Sequence, residues 1–169
     1  MKVLIAYSSR TTNTRQLAEA IHIALPEAEL SPVTFAPNPG AYDLVFLGTW
    51  IKDGTADEAA QEYLGKIKDK PVAVFTTLGD YPDSQHAKDC LETIEGLVSA
   101  NNTLIDQFIC QGAIDPALIE WMKDLPKDHG YGPTEHRKKL WKDGEGHPDD
   151  ADIKAVSDWA VAALEKAKA

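Results

Sequence analysis

The sequence predicts a three-layer α/β protein with a doubly wound, five-stranded parallel sheet covered by helices on both faces. Continuously apolar runs such as Val-Leu-Ile-Ala, Leu-Val-Phe-Leu and Val-Ala-Val-Phe are typical of parallel strands buried on both sides. These runs alternate with longer amphipathic segments, as in other sheets of this class. The 169 residues are enough for one domain, residues 1–169, with a core of its own.

The individual elements follow from these patterns in chain order. Strands are expected at residues 2–7, 29–33, 43–48, 71–76 and 103–110, and helices at residues 14–25, 56–66, 84–99 and 150–168. The last helix opens with Asp149, Asp150 and Asp152, and acidic residues favour a helix N-terminus. Right-handed crossovers then bring the carboxyl ends of the strands to one edge of the sheet, where ligands of such folds bind.

Residues 111–148, called the insertion below, interrupt this alternation between the fifth strand and the last helix. Helical patterns occur at residues 116–123 and 135–142, separated by a stretch that contains Pro126, Gly130, Gly132 and Pro133. Connections of this length are usually functional or contain extra helices. We expect the insertion to decorate the single domain rather than to form a second one.

Charge and composition exclude several function classes. The net charge of −10 is opposite to what nucleic acid requires, whereas it suits brief docking to basic redox partners. No apolar run is long enough for membrane insertion and the N-terminus does not read as a secretory signal, so we expect a cytoplasmic protein. Cys90 and Cys110 are expected to be buried free thiols, and the scattered His129, His136 and His147 predict no metal site.

The most informative motif joins the first strand to the first helix and reads Ser9-Arg10-Thr11-Thr12-Asn13-Thr14. Such a turn aims backbone N–H groups and hydroxyls at one point, and the helix N-terminus adds partial positive charge there. The turn therefore predicts a phosphate site, although it lacks the glycine pattern of dinucleotide and triphosphate sites. The alternative is an ordinary turn whose hydroxyls only cap the helix.

Two further loops should meet this turn at the same edge of the sheet. The loop after the third strand contains Thr49, Trp50, Ile51, Asp53 and Gly54, and the loop after the fourth contains Thr77, Leu78, Gly79, Asp80 and Tyr81. A tryptophan in this place either stacks on a planar ligand or covers the end of the sheet.

Together the three loops resemble those of the flavodoxins. In that family the phosphate of flavin mononucleotide (FMN) lies in a Ser/Thr-x-Thr-Gly-Asn-Thr loop, which Ser9, Thr11, Asn13 and Thr14 match. Thr12 replaces the family glycine, and a positive φ there would strain it by about 1–2 kcal/mol. On that account, Thr12→Gly should tighten flavin binding. The resemblance also implies the strand order 2-1-3-4-5.

The resemblance implies roles for the other two loops. Thr49-Trp50 matches the position from which an aromatic side chain stacks on the flavin. The Asp53-Gly54 peptide either turns to hydrogen-bond the flavin N5 when the flavin takes up an electron, or forms a plain turn. Gly79-Asp80 also matches the family pattern, after which Tyr81 either covers the second flavin face or lies exposed.

The function that the resemblance implies is FMN-dependent electron transfer between a reductase and an acceptor enzyme. In this role the cofactor does the redox chemistry, so no catalytic side chain is expected. One alternative is a flavin-dependent NAD(P)H:quinone or small-molecule reductase, with the insertion as a lid and with Arg137, Lys138 and Lys139 attracting a phosphate. Another is a flavin-free binding module on the same fold. Arg10 either adds a cation to the phosphate site or is solvated.

Overall fold

The computed structural model describes residues 1–169. Its strands are β1 (Val3–Tyr7), β2 (Glu29–Pro32), β3 (Leu44–Lys52), β4 (Thr55–Ala56), β5 (Pro71–Leu78) and β6 (Thr103–Gln111). Its helices are α1 (Asn13–Ala24), α2 (Glu58–Leu64), α3 (Gln85–Ser99), α4 (Pro116–Lys123), α5 (Glu135–Gly144) and α6 (Asp150–Lys168), and a short 3-10 helix covers Pro39–Ala41.

The sheet has the order β2-β1-β3-β5-β6, and every neighbouring pair on this path is parallel. The short β4 lies off the path and pairs antiparallel with β3. Since the five parallel strands are the five that the sequence predicts, the structure confirms both the α/β fold class and the strand order 2-1-3-4-5.

Around residue 50 the predicted bounds are wrong, because β3 continues to Lys52 and α2 begins only at Glu58. Between them lies a tight hairpin, whose Asp53-Gly54 turn is one of the two alternatives given above and whose second strand, β4, was not predicted. Asp53 and Gly54 have φ values of 50° and 80° and connect β3 directly to β4. Asp-Gly favours such a turn because both central positions need a positive φ.

Apolar side chains fill both faces of the sheet. One cluster packs the sheet against α1 and α6, with Ile5, Phe46, Leu17, Ile21 and Val156 among its members. The other packs it against α2 and α3, with Val45, Val74, Tyr63, Ile94 and Val98 among its members. With both faces covered, the carboxyl ends of the strands provide the open edge for a ligand. None of the helices has the length and apolar character needed to cross a membrane.

The insertion contains α4 and α5, which confirms the two short helices predicted for it. Hydrogen bonds attach its two ends to the loops at the edge of the sheet. Asn13 Nδ2 donates to the carbonyl oxygen of Ala113 (2.8 Å), and the Tyr81 hydroxyl donates to Asp143 Oδ2 (2.7 Å). The insertion is therefore fixed beside the predicted phosphate turn and the loop that follows β5.

Candidate functional site

The turn between β1 and α1 presents a series of free backbone donors. The N–H groups of Arg10, Thr11 and Thr12 donate no hydrogen bond within the protein. Those of Asn13 and Thr14 lie in the first turn of α1, where a helix offers no acceptor of its own. Nor does a side chain of Thr12 or an acidic residue of the first turn satisfy them. Five successive amides are thus available to an anion at a helix N-terminus.

Thr12 has a left-handed backbone, with φ 73° and ψ −12°. This is the conformation that glycine adopts without cost and that strains a β-branched residue by about 1–2 kcal/mol. The Thr12 hydroxyl accepts a hydrogen bond from Gln16 Nε2 at 3.4 Å. Thr12, which replaces the glycine of the flavodoxin loop, therefore does have a positive φ.

Thr14 connects the turn to the neighbouring strands. Its buried hydroxyl lies 2.9 Å from the hydroxyl of Thr77 and 3.5 Å from the carbonyl oxygen of Thr49. Because these three residues come from α1, β5 and β3, a single buried contact fixes the start of α1 over the ends of two strands.

Asp57, which is not among the predicted site residues, holds the end of β3 in place. It is 2% exposed, and its Oδ1 accepts hydrogen bonds from the Thr49 hydroxyl (2.8 Å) and the Trp50 backbone N–H (3.4 Å). The same carboxylate caps α2 by accepting from the Ala60 N–H. An Asp directly before a helical pattern is a capping signal, but its contacts with Thr49 and Trp50 depend on the unpredicted pairing of β3 with β4.

Tyr81 turns away from the ends of the strands. Its hydroxyl is bound to Asp143, and its ring lies edge-on to His136 with the centroids 6.4 Å apart. The hydrogen bond to Asp143 is the main cause that raises the pKa of Tyr81. Gly79, two residues earlier, leaves room for the insertion, since a Cβ there would lie 2.8 Å from Ile114 Cγ1.

A cavity of about 840 Å³ brings the three loops together. Most of the predicted site residues line it: Ser9, Arg10, Thr11, Asn13, Thr14, Trp50, Ile51, Asp53, Gly54, Thr77, Leu78, Gly79 and Asp80. Thr12, Thr49 and Tyr81 do not. Thr12 and Tyr81 point elsewhere, as described above, and the Thr49 side chain is buried beneath the loop in its contact with Asp57.

The insertion forms another wall of this cavity, whereas the sequence predicted it as a lid only for the reductase alternative. The wall is mostly apolar and aromatic, with one cation, Arg137, and one carboxylate, Asp115; its apolar and aromatic side chains are Ile114, Leu118, Trp121, Met122, Tyr131, Leu140 and Trp141. Lys138 and Lys139 instead pair with Glu135 and Asp143 on α5. Only Arg137 of the predicted basic group therefore reaches the cavity, where its Nη1 donates to the Gly132 carbonyl oxygen.

One cluster resembles a metal site but has a structural explanation. His147, Asp149 and Asp152 place ligand atoms within 4.8 Å of one another. Asp149 and Asp152, however, form the capping box of α6, and His147 Nδ1 lies 2.7 Å from Asp152 Oδ2. The start of α6 thus accounts for these contacts.

Comparison with known proteins agrees with the loops and the fold. The flavodoxin domain family model matches residues 4–161. A flavodoxin-like domain-containing protein, BilS, of Clostridioides difficile (strain CD3) is 32% identical over 99% of this chain and 98% of its own. A protein of the same description from Clostridium symbiosum (strain WAL-14163) is 28% identical over 97% and 96%.

Solved structures show the same architecture. Oxidised flavodoxin 2 from Bacillus cereus matches with a TM-score of 0.60 and 23% identity over 98% of this chain and 99% of its own. A flavoprotein from Lactobacillus acidophilus NCFM in complex with FMN matches with a TM-score of 0.55 and 17% identity over 72% and 99%. The chain belongs to the flavodoxin-like family, and FMN is the cofactor of that family.

The residues of the cavity fit this cofactor. The five free amides of residues 10–14 and the hydroxyls of Ser9 and Thr11 are suitable donors for a phosphate. Trp50, an aromatic residue, lines the same cavity. The site is therefore that of an FMN-binding electron-transfer flavoprotein.

Proposed function

We propose that this protein carries electrons from a separate reductase to an acceptor enzyme by means of FMN bound in the cavity. The observation that carries the proposal is the row of free amides at residues 10–14, where Arg10, Thr11, Asn13 and Thr14 line the same cavity as Trp50 and the loop after β5. When bound, FMN supplies one- and two-electron redox chemistry, and the protein contributes binding, orientation and electrostatics.

Different residues of the site would bind the phosphate and the ring of the cofactor. The phosphate turn would fix one end of the cofactor, and Trp50, whose backbone is held by Asp57, would stack on its ring. Three carboxylates, Asp53, Asp80 and Asp115, line the cavity together with three cations, Arg10, Lys52 and Arg137, so their formal charges balance.

The working location proposed for this carrier is the cytoplasm. The free thiols Cys90 and Cys110, both buried, suit a reducing compartment. Burial also raises the pKa of the Cys110 thiol, which keeps it protonated and unreactive.

Activity with and without a reductase tests the carrier role. The holoprotein alone should oxidise NAD(P)H no faster than an equal concentration of free FMN. Added flavodoxin reductase should then transfer electrons from NADPH to the bound flavin, followed by its absorbance. Steady NAD(P)H oxidation by the holoprotein alone would contradict the carrier role.

A reductase of small molecules is the second candidate, and the wall formed by the insertion favours it. That wall presents apolar and aromatic side chains together with Arg137, a cation that forms no salt bridge. Such a surface suits a flat apolar substrate or a nucleotide phosphate. Quinone-dependent NAD(P)H oxidation that disappears in Arg137→Ala would decide for this candidate.

A further inference from the structure

One face of α4 is directed into the cavity. Leu118, Trp121 and Met122 follow one another at the i, i+3 and i+4 positions of a helix, and all three line the cavity. Met122 is 6% exposed and anchors the helix, whereas Trp121 remains 52% exposed. The helix therefore holds an uncovered indole ring at the cavity wall.

This exposure is unusual enough to need an explanation. Large apolar side chains exposed together usually mark a binding surface, whereas single ones need no explanation. Leu118, Trp121 and Tyr131 are all exposed, and all three line this one cavity. A flat aromatic ligand would cover such a surface and gain both apolar burial and ring stacking.

The position of α4 is well defined. Asp115 caps its N-terminus by accepting from the Ala117 N–H (2.9 Å), and Pro116 occupies the first turn. The preceding Ala113 is held by Asn13 of the phosphate turn. The indole of Trp121 is thus tied, through a short stretch of chain, to the residues that would hold the phosphate.

Tyr81 is not placed to cover the second face of the flavin ring. The family resemblance assigns that role to this tyrosine, but its hydroxyl is bound to Asp143 and its ring lies against His136, outside the cavity. Trp121 has no competing ring partner among the aromatic contacts of the protein.

We infer that Trp121 stacks on the face of the flavin ring that Trp50 leaves open, so that the insertion supplies the second aromatic cover. The inference rests on the proposed binding of FMN in this cavity. It assigns the insertion a direct part in holding the cofactor, in the place of the tyrosine loop.

Titration of the apoprotein with FMN tests the inference. Trp121→Ala should raise the Kd about tenfold to a hundredfold, in line with the value of one aromatic stacking contact. Trp121→Phe should recover most of the affinity, because it restores an aromatic plane. Unfolding should change little in Trp121→Ala, since the side chain is half exposed and alanine favours helix.

Two control variants sharpen the result. Phe35→Ala removes another exposed aromatic side chain, 85% exposed and outside the cavity, and should leave the Kd unchanged. Tyr81→Leu removes the ring of the competing candidate and should raise the Kd less than Trp121→Ala does. An unchanged Kd for Trp121→Ala, with the wild type binding FMN, would overturn this inference alone. Failure of the wild type to bind FMN would overturn both the inference and the proposed function.

Discussion

The hydroxyl of Ser8 donates a 2.6 Å hydrogen bond to Asp57 Oδ2, which joins the end of β1 to the cap of α2. The other oxygen of the same carboxylate holds Thr49 and the backbone of Trp50. Ser8 directly precedes the phosphate turn, and Trp50, near the end of β3, would contact the flavin ring. A single buried carboxylate therefore fixes the two parts of the site relative to each other.

Replacement of Asp57 should destabilise the protein more than the loss of an ordinary cap. Asp57→Ala should lower the free energy of unfolding by about 2–4 kcal/mol, because it removes the cap and leaves two hydroxyls without their acceptor. Urea denaturation measures the change. Asp149→Ala, which removes the more exposed cap of α6, is the matched control and should cost about 1 kcal/mol. Equal losses in the two variants would mean that Asp57 is only a cap.

Thr12→Gly should stabilise the protein and leave the phosphate site working. Glycine removes the strain at φ 73° but adds freedom to the unfolded chain, so the net gain should be about 0.5–1 kcal/mol. FMN should bind as tightly as to the wild type or up to about fivefold more tightly. Thermal unfolding and flavin titration measure the two effects. Weaker binding by about tenfold or more would show that the Thr12 hydroxyl itself holds the phosphate.

Thr14→Ala should weaken FMN binding by about tenfold. The substitution removes the buried contact with the Thr77 hydroxyl and loosens the first turn of α1, where the amides must converge on the phosphate. Thr14→Ser retains the hydroxyl and should restore most of the affinity. Fluorescence titration with FMN gives both constants, and equal affinities for the alanine and serine variants would contradict this role for the hydroxyl.

The loss of folding stability at alkaline pH should depend in part on Tyr63. Burial raises the pKa of Tyr63 to about 12, and its hydroxyl donates to the Pro37 carbonyl oxygen at 2.6 Å. The unfolded chain ionises near the ordinary value of about 10, so it binds fewer protons than the folded protein above that pH. Stability from Tyr63 is therefore complete below pH 10 and is lost as the pH rises towards 12. In Tyr63→Phe, the free energy of unfolding measured with urea should fall less between pH 10 and pH 12 than in the wild type. The same fall in both proteins would contradict this role of Tyr63.

The parallel sheet was predictable because its signal is local. Continuous apolar runs define β1, β3 and β5, and helical spacing defines α1 and α6, so neither depends on distant contacts. The extension of β3 and its pairing with β4 were missed because both strands lie in a polar segment that follows the buried apolar run. The Asp53-Gly54 pair was the available signal for this pairing, since this dipeptide favours a two-residue hairpin.

The sequence predicted only those parts of the site whose positions are set by the ends of the strands. The carboxyl ends of β1, β3 and β5 meet at one edge in any sheet of this order, which brings Ser9, Trp50 near the end of β3, and Gly79 to one cavity. The departure of Tyr81 depends on Asp143, a residue distant in sequence on α5. The aromatic wall of α4 likewise depends on how the insertion folds back, and helical spacing alone does not set that direction.

Binding of FMN and of riboflavin to the same apoprotein, measured by isothermal titration calorimetry, tests the central claim most directly. The two ligands share the ring and differ in the phosphate, which the five amides of residues 10–14 would hold. Charge-assisted hydrogen bonds contribute about 1.5–3 kcal/mol each, so FMN should bind at least about a hundredfold more tightly than riboflavin. Equal affinities for the two ligands, or no binding of FMN, would contradict the claim that this turn is a phosphate site.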